Sequence, residues 1–173
     1  MSTPKPLTGR TKAPKGTDSI FTLEVFLTSG PVTAKFAKKN KIVSRTIQIR
    51  GKQTLQDLHE AIFDAFDRDD EHMYEFQVGG KGPMDEQARK YGPPVPTGPF
   101  SDEMVGDASA ASLGSLGLKI GGTFGYWFDF GDDWWHQINV LGIDTKIPPG
   151  KYPKVAKRVG QSPPQYPDWD EEQ

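Results

Sequence analysis

The sequence has no cysteine, which excludes disulfides, thiol nucleophiles and thiolate metal sites and accords with a reducing compartment. No apolar run approaches the ~20 residues that a membrane-spanning helix needs. The opening residues, MSTPKPLTGRTKAPKG, lack the apolar core of a signal peptide. The expectation is therefore a cytoplasmic chain with no membrane partner. Net charge is small too: Lys+Arg 21 against Asp+Glu 23 leaves −2, with a pI of about 5.9. The whole-molecule field thus gives no reason for tight non-specific binding to DNA or lipid. Hydrophobic residues are sparse at 35%, while Gly 19 and Pro 15 are plentiful, so one ordinary domain with much of its length in loops and tails is expected.

The loose parts are visible in the composition. Residues 1–17 carry Lys5, Arg10, Lys12 and Lys15 with no acid, and are expected to form a disordered basic arm because they hold too little apolar surface to offset ordering. Residues 161–173 contain Pro163, Pro164 and Pro167 followed by Asp168, Asp170, Glu171 and Glu172, which predicts a Pro-rich acidic tail. A Gly/Pro-rich loop is expected over 79–100. A single α+β domain over 18–160 holds everything else.

Periodicity supplies the elements. In IFTLEVFLTS, Phe21, Leu23, Val25 and Leu27 alternate with Thr22, Glu24 and Phe26, the pattern of a half-buried strand. A second strand is expected over about 42–50. Thr54 then stands as an N-cap with Asp57 three residues on, and Leu55, Leu58, Ile62, Ala65 and Phe66 recur at helical spacing. His72, Tyr74, Phe76 and Val78 mark a third strand. Leu113 and Leu116 mark a short helical turn. Phe124, Tyr126, Phe128 and Phe130 line a fourth strand, and Ile138 and Val140 share a face with His136 on a fifth. The expected fold is α+β: a mixed or antiparallel sheet of about five strands covered by one main amphipathic helix, β-grasp-like in outline.

The unusual chemistry is concentrated in YWFDFGDDWWHQI. With Gly131 at positive φ and Asp132 and Asp133 as the central residues of a tight hairpin, Phe130 faces Trp135 and Asp129 faces His136. Asp129, Asp132, Asp133 and His136 then offer oxygen and nitrogen ligands to a divalent metal, the one cofactor the sequence suggests, or an acid/base pair in Asp129 and His136. The alternative is that aspartates after glycine simply form the turn. Trp134 and Trp135 alternate onto opposite sheet faces, so one is expected in the core and the other toward solvent or a partner. His59 and His72 are further candidates beside Glu75 or Asp129, although no short His-x-x-x-His spacing supports a metal motif. Val43, Ser44 and Gln48 echo a serine-recombinase nucleophile segment, but Ile42 stands where its arginine belongs. The glycines of GGKG and IGGTFG precede no helix, which excludes a phosphate-cradling loop.

Taken in order, TLQDLHEAIFDAFDRDDEHMYEFQVGG, YWFDFGDDWWHQINV and YPKVAKRVGQSPPQYPD resemble the root-inducing-plasmid Orf-three-like family, often labelled insertion-element passenger or TnpR-like proteins. The resemblance implies an α+β domain found in bacterial and archaeal chromosomes, plasmids and mobile elements, and it implies no established activity. Where that family shows Pro-Pro-Ile-Trp-Arg-Arg, this chain has Lys41, Ile42, Val43, Ser44, Arg45 and Thr46, keeping Arg45 as a binding candidate. Where relatives carry cysteines it has Val155, Ser162 and Pro167, so a thiolate role in relatives does not operate here.

Two functions follow. One is a non-enzymatic binding module for a protein or nucleic-acid partner, with Trp134, Trp135, Asp132, Asp133, His59, His72 and Arg45 as contact candidates beside the 79–100 loop and the basic arm, the nucleic-acid version resting on that arm plus the local cluster Lys35, Lys38, Lys39 and Lys41. The other is a metal-assisted hydrolase or nuclease built on Asp129, Asp132, Asp133 and His136, which requires these groups to converge on one point.

Overall fold

A computed structural model describes residues 18–94 and 105–172. The basic arm over 1–17 and the end of the Gly/Pro-rich loop, 95–100, lie outside the described residues. Among the described residues, eight strands form one sheet: β1 (Ile20–Ser29), β2 (Ser44–Arg50), β3 (Tyr74–Val78), β4 (Arg89–Gly92), β5 (Val105–Asp107), β6 (Thr123–Phe128), β7 (Trp134–Asp144) and β8 (Lys154–Val159). Their order is β5-β4-β3-β6-β7-β1-β2-β8. All neighbours are antiparallel except β4 and β5.

The α+β class holds, but the sheet has eight strands rather than five, and it departs from the β-grasp outline. After the helix the chain returns in β3, which pairs with β6; the β6–β7 hairpin separates it from β1. The span expected as loop contains β4. A second helix, α1 (Ala34–Lys39), joins β1 to β2 and buries none of its residues.

Helix α2 (Leu55–Ala65) begins at the expected capping box: Asp57 N–H donates to Thr54 Oγ1 at 3.2 Å and Thr54 N–H donates to Asp57 Oδ2 at 2.8 Å. Its remaining free N–H groups find distant acceptors, since Leu55 donates to Ala111 O and Gln56 to Ala108 O. That segment leads into the predicted short turn, a 3-10 helix at Leu113–Ser115. Leu55, Leu58, Ile62 and Ala65 are fully buried, each larger side chain contributing roughly 1.5–3 kcal/mol. Leu23, Val25, Ile47, Ile49, Phe76, Phe124, Phe128 and Ile138 fill the same core from the sheet. The acidic tail is tied down: Gln165 Oε1 accepts from Asp69 N–H and Asp70 N–H, and its Nε2 donates to Asp70 O. One sheet face is thus covered by α2 and its neighbours. On the other, the outward residues of β1, β6 and β7, apart from the buried Gly125, alternate with the buried ones and remain partly exposed.

Candidate functional site

The β6–β7 hairpin has a five-residue loop over 129–133. Its closing pairs are Phe128 with Trp134, Trp127 with Trp135 and Tyr126 with His136. Asp129 is therefore not the cross-strand partner of His136, and Phe130 does not face Trp135. The turn bends at Asp129 (φ 62) and Asp133 (φ 58), both left-handed, whereas Gly131 is not. Aspartate tolerates this backbone because its short carboxylate bonds neighbouring amides. Asp129 Oδ1 accepts from Gly131 N–H at 3.0 Å and Asp132 N–H at 3.2 Å, and Asp133 N–H donates to Asp129 O at 2.7 Å. The other Asp129 oxygen lies 3.4 Å from His72 Nε2, which also meets Tyr166 Oη at 2.9 Å.

The four residues expected to share a metal are dispersed. His136 is fully buried on the helix-covered face; Asp133 Oδ1 accepts from Trp127 Nε1–H at 2.9 Å on the opposite face; Asp129 holds the turn; Asp132 is exposed. Among the described residues no group of three or more His, Asp or Glu side chains is placed to hold a metal ion. The convergence that a hydrolase at this hairpin requires is not present in the geometry.

His136 belongs instead to a polar network inside the core. Arg68, only 6% exposed, donates from Nη2 to His136 Nε2 at 2.8 Å. That makes Nε2 the acceptor, so Nδ1–H donates to Tyr126 O at 3.2 Å. The Arg68 guanidinium lies over Phe66 (5.0 Å), Phe128 (4.8 Å) and Trp134 (5.3 Å), and these ring faces offset part of the cost of burying a cation without a carboxylate. Desolvation lowers its pKa only to about 10, so Arg68 is charged at neutral pH. Beside it, Tyr126 Oη–H donates to His59 Nδ1 at 2.6 Å and His59 Nε2–H donates to Glu71 Oε1 at 2.7 Å. His59 stacks on Tyr74 with centroids 3.7 Å apart.

Both histidines are neutral. Burial and, second, the Arg68 charge push His59 down to about 3 and His136 well below its ordinary value; the largely exposed Glu71 carboxylate is too well hydrated to reverse this. In the unfolded chain each titrates near 6.5, so the unfolded state binds more protons below that pH. Stability is therefore complete above about pH 6.5 and lost as pH falls toward 3, with a slope of up to ~1.4 kcal/mol per pH unit for each histidine. Urea midpoints measured from pH 7 to pH 5, above the main carboxylate range, are expected to fall, and a His59→Gln/His136→Gln variant is expected to show a flatter profile. An unchanged midpoint across that interval would contradict the assignment.

Arg45, read from sequence as a binding candidate, is 2% exposed. Its Nε donates to Ala65 O, Nη1 to the carbonyls of Ser44, Val159 and Gly160, and Nη2 to Ser162 Oγ. Arg158 Nη1 donates to Ala65 O as well. Two arginines from β2 and β8 thus satisfy and electrostatically cap the C-terminus of α2. Arg68 was not foreseen, because an arginine in FDRDD reads as a solvated charge; nothing local marks the aromatic cage that tertiary structure builds around it.

The tryptophans divide as expected. Trp134 is fully buried, while Trp135 is partly exposed on the open face. There it stacks on Trp127 at 4.9 Å and 5°, and the Phe130 ring packs tilted against Trp127 with centroids 4.1 Å apart. Phe130 is 41% exposed. On the same face Glu75 pairs across from Trp127, Phe26 from Gln137 and Glu24 from Asn139.

The model of the plasmid pRiA4b ORF-3-like protein family matches residues 31–166. No curated protein matches the sequence. Among solved structures, the chain is similar to a protein of unknown function, MM3350, from Methanosarcina mazei Go1: 21% identity, TM-score 0.64, over 86% of this chain and 73% of that one. At that identity the likeness speaks for the fold.

Proposed function

The chain belongs to the plasmid pRiA4b ORF-3-like family, and from its open sheet face we propose that it is a non-enzymatic binding module whose partner is a protein segment rich in arginine or lysine. The observation that carries this reading is the Phe130–Trp127–Trp135 stack on the uncovered face. Aromatic rings left partly in water beside a core already full of aromatics gain most of their remaining burial from a partner.

Charge specifies the partner. The partly exposed outward positions of β1, β3, β6 and β7 include Glu24, Phe26, Glu75, Trp127, Trp135, Gln137 and Asn139, and none is Lys or Arg; the lysines that share this face by register, Lys90 on β4 and Lys154 and Lys157 on β8, lie on outer strands. Asp132 and Asp133 extend the negative field at the hairpin tip. Guanidinium or ammonium groups meet both ring faces and carboxylates there, each cation–π contact contributing about 0.5–2 kcal/mol. An association with plasmids and mobile elements, and a cytoplasmic site of action, belong to the same proposal.

Titration of a fluorescently labelled arginine-rich peptide with the full chain, followed by anisotropy, tests it. Binding is expected, weakened at least tenfold in Trp127→Ala/Trp135→Ala, with the far-ultraviolet circular dichroism of the variant retained. Equal affinity of wild type and variant, or equal response to a glutamate-rich peptide, would contradict it.

A further inference from the structure

A second surface, at the other end of the sheet, has the opposite character. Helix α1 carries Lys35, Lys38 and Lys39, followed by Lys41, and its sequence AKFAKK has no acid. The outer strand β8, KVAKRV, adds Lys154, Lys157 and Arg158. The two are joined where Asn40 Oδ1 accepts from Gln161 N–H at 2.9 Å, just past β8. Among the described residues only Arg158 of these seven cations forms an ion pair, a 4.0 Å contact to Asp67.

Lysines on an edge strand also discourage sheet-to-sheet pairing. That role does not account for the lysines of α1, two of which line a groove. Between α1 and the tail lies an open groove of about 180 Å³ whose lining includes the apolar Val32, Phe36, Pro164 and Pro167, with Lys35 and Lys39 contributed by α1 and Asp168 by the tail. An apolar groove containing an aromatic ring, lined by two ammonium groups without an ion pair and neighboured by the β8 lysines, matches what a single strand of nucleic acid presents: a planar base beside a phosphate chain. Asp168 repels phosphate from its own wall, so the backbone runs on the lysine side and the carboxylate faces the amino groups of the base.

We propose that this α1–β8 edge is a binding site for single-stranded nucleic acid, with a base in the Phe36 groove and phosphates on Lys35, Lys39 and the β8 lysines Lys154 and Lys157. It is independent of the aromatic face, and Trp127→Ala/Trp135→Ala is expected to leave it intact.

Fluorescence anisotropy of the full chain with a labelled twelve-nucleotide single strand, at several salt concentrations, tests the site. Affinity is expected to fall with salt with a log–log slope of about −0.7 per phosphate contacted. Lys35→Glu/Lys39→Glu is expected to weaken low-salt binding at least tenfold and make the slope shallower by about 1.4. Lys119→Glu/Lys146→Glu, the same charge change at exposed lysines elsewhere, is expected to change affinity less than threefold. No binding at low salt, equal losses in the two double variants, equal or tighter binding of a duplex, or tighter binding of anionic lipid vesicles would each overturn the proposal.

Discussion

Replacing Arg68 by alanine is expected to lower the unfolding free energy by about 3–5 kcal/mol. The guanidinium fills the space between Phe66, Phe128 and Trp134 and supplies the hydrogen bond that His136 Nε2 accepts. Alanine removes both, leaving a cavity and a buried acceptor without a donor. Arg68→Met separates these terms. Its unbranched thioether keeps much of the contact with the rings and removes a costly buried charge, so the loss is expected to shrink to about 1–3 kcal/mol, the share due to the orphaned imidazole. Urea denaturation of the three proteins gives the comparison. Equal stability of wild type and Arg68→Ala would show that the network contributes nothing.

Gly30→Ala is expected to be nearly as damaging, for a steric reason. A Cβ at position 30 would overlap Cε3, Cζ3 and Cδ2 of Trp134, the last at 3.0 Å. Trp134 is fully buried and is held on another side by Arg68, so the indole has little room to withdraw. Overpacking of this kind costs roughly 1–3 kcal/mol and more where backbone must move. The test is a double-mutant cycle with Trp134→Phe: the smaller ring makes room, so the two substitutions together are expected to cost less than the sum of each alone. Strict additivity would place the cost of Gly30→Ala elsewhere.

The central architecture was legible where burial follows a period. Thr54 and Asp57 announced the start of α2, and Leu55, Leu58, Ile62 and Ala65 its buried stripe. Phe21, Leu23 and Val25 announced the inner face of β1. The missed elements lack such a signal. Helix α1 buries no residue, and β8 lies at the sheet edge with four of its six positions exposed, so neither shows an apolar face. The hairpin register was misread for a different reason. Gly131 invited a tight two-residue turn, whereas the left-handed positions are Asp129 and Asp133, and the longer loop moves every pairing along the hairpin. That shift separates His136 from Asp129 and brings Trp127 against Trp135. The face that His136 shares with Ile138 and Val140 and the opposite faces of Trp134 and Trp135 survived it, because side-chain alternation within a strand does not depend on the turn.

The direct test of the open aromatic face as the contact surface is the behaviour of the indole N–H resonances of the four tryptophans during titration with the arginine-rich peptide. The signals of Trp127 and Trp135 are expected to shift in proportion to occupancy while that of the buried Trp134 stays in place. Static Trp127 and Trp135 signals at saturating peptide, or a Trp134 signal that moves as far as theirs, would contradict a binding surface built on this stack.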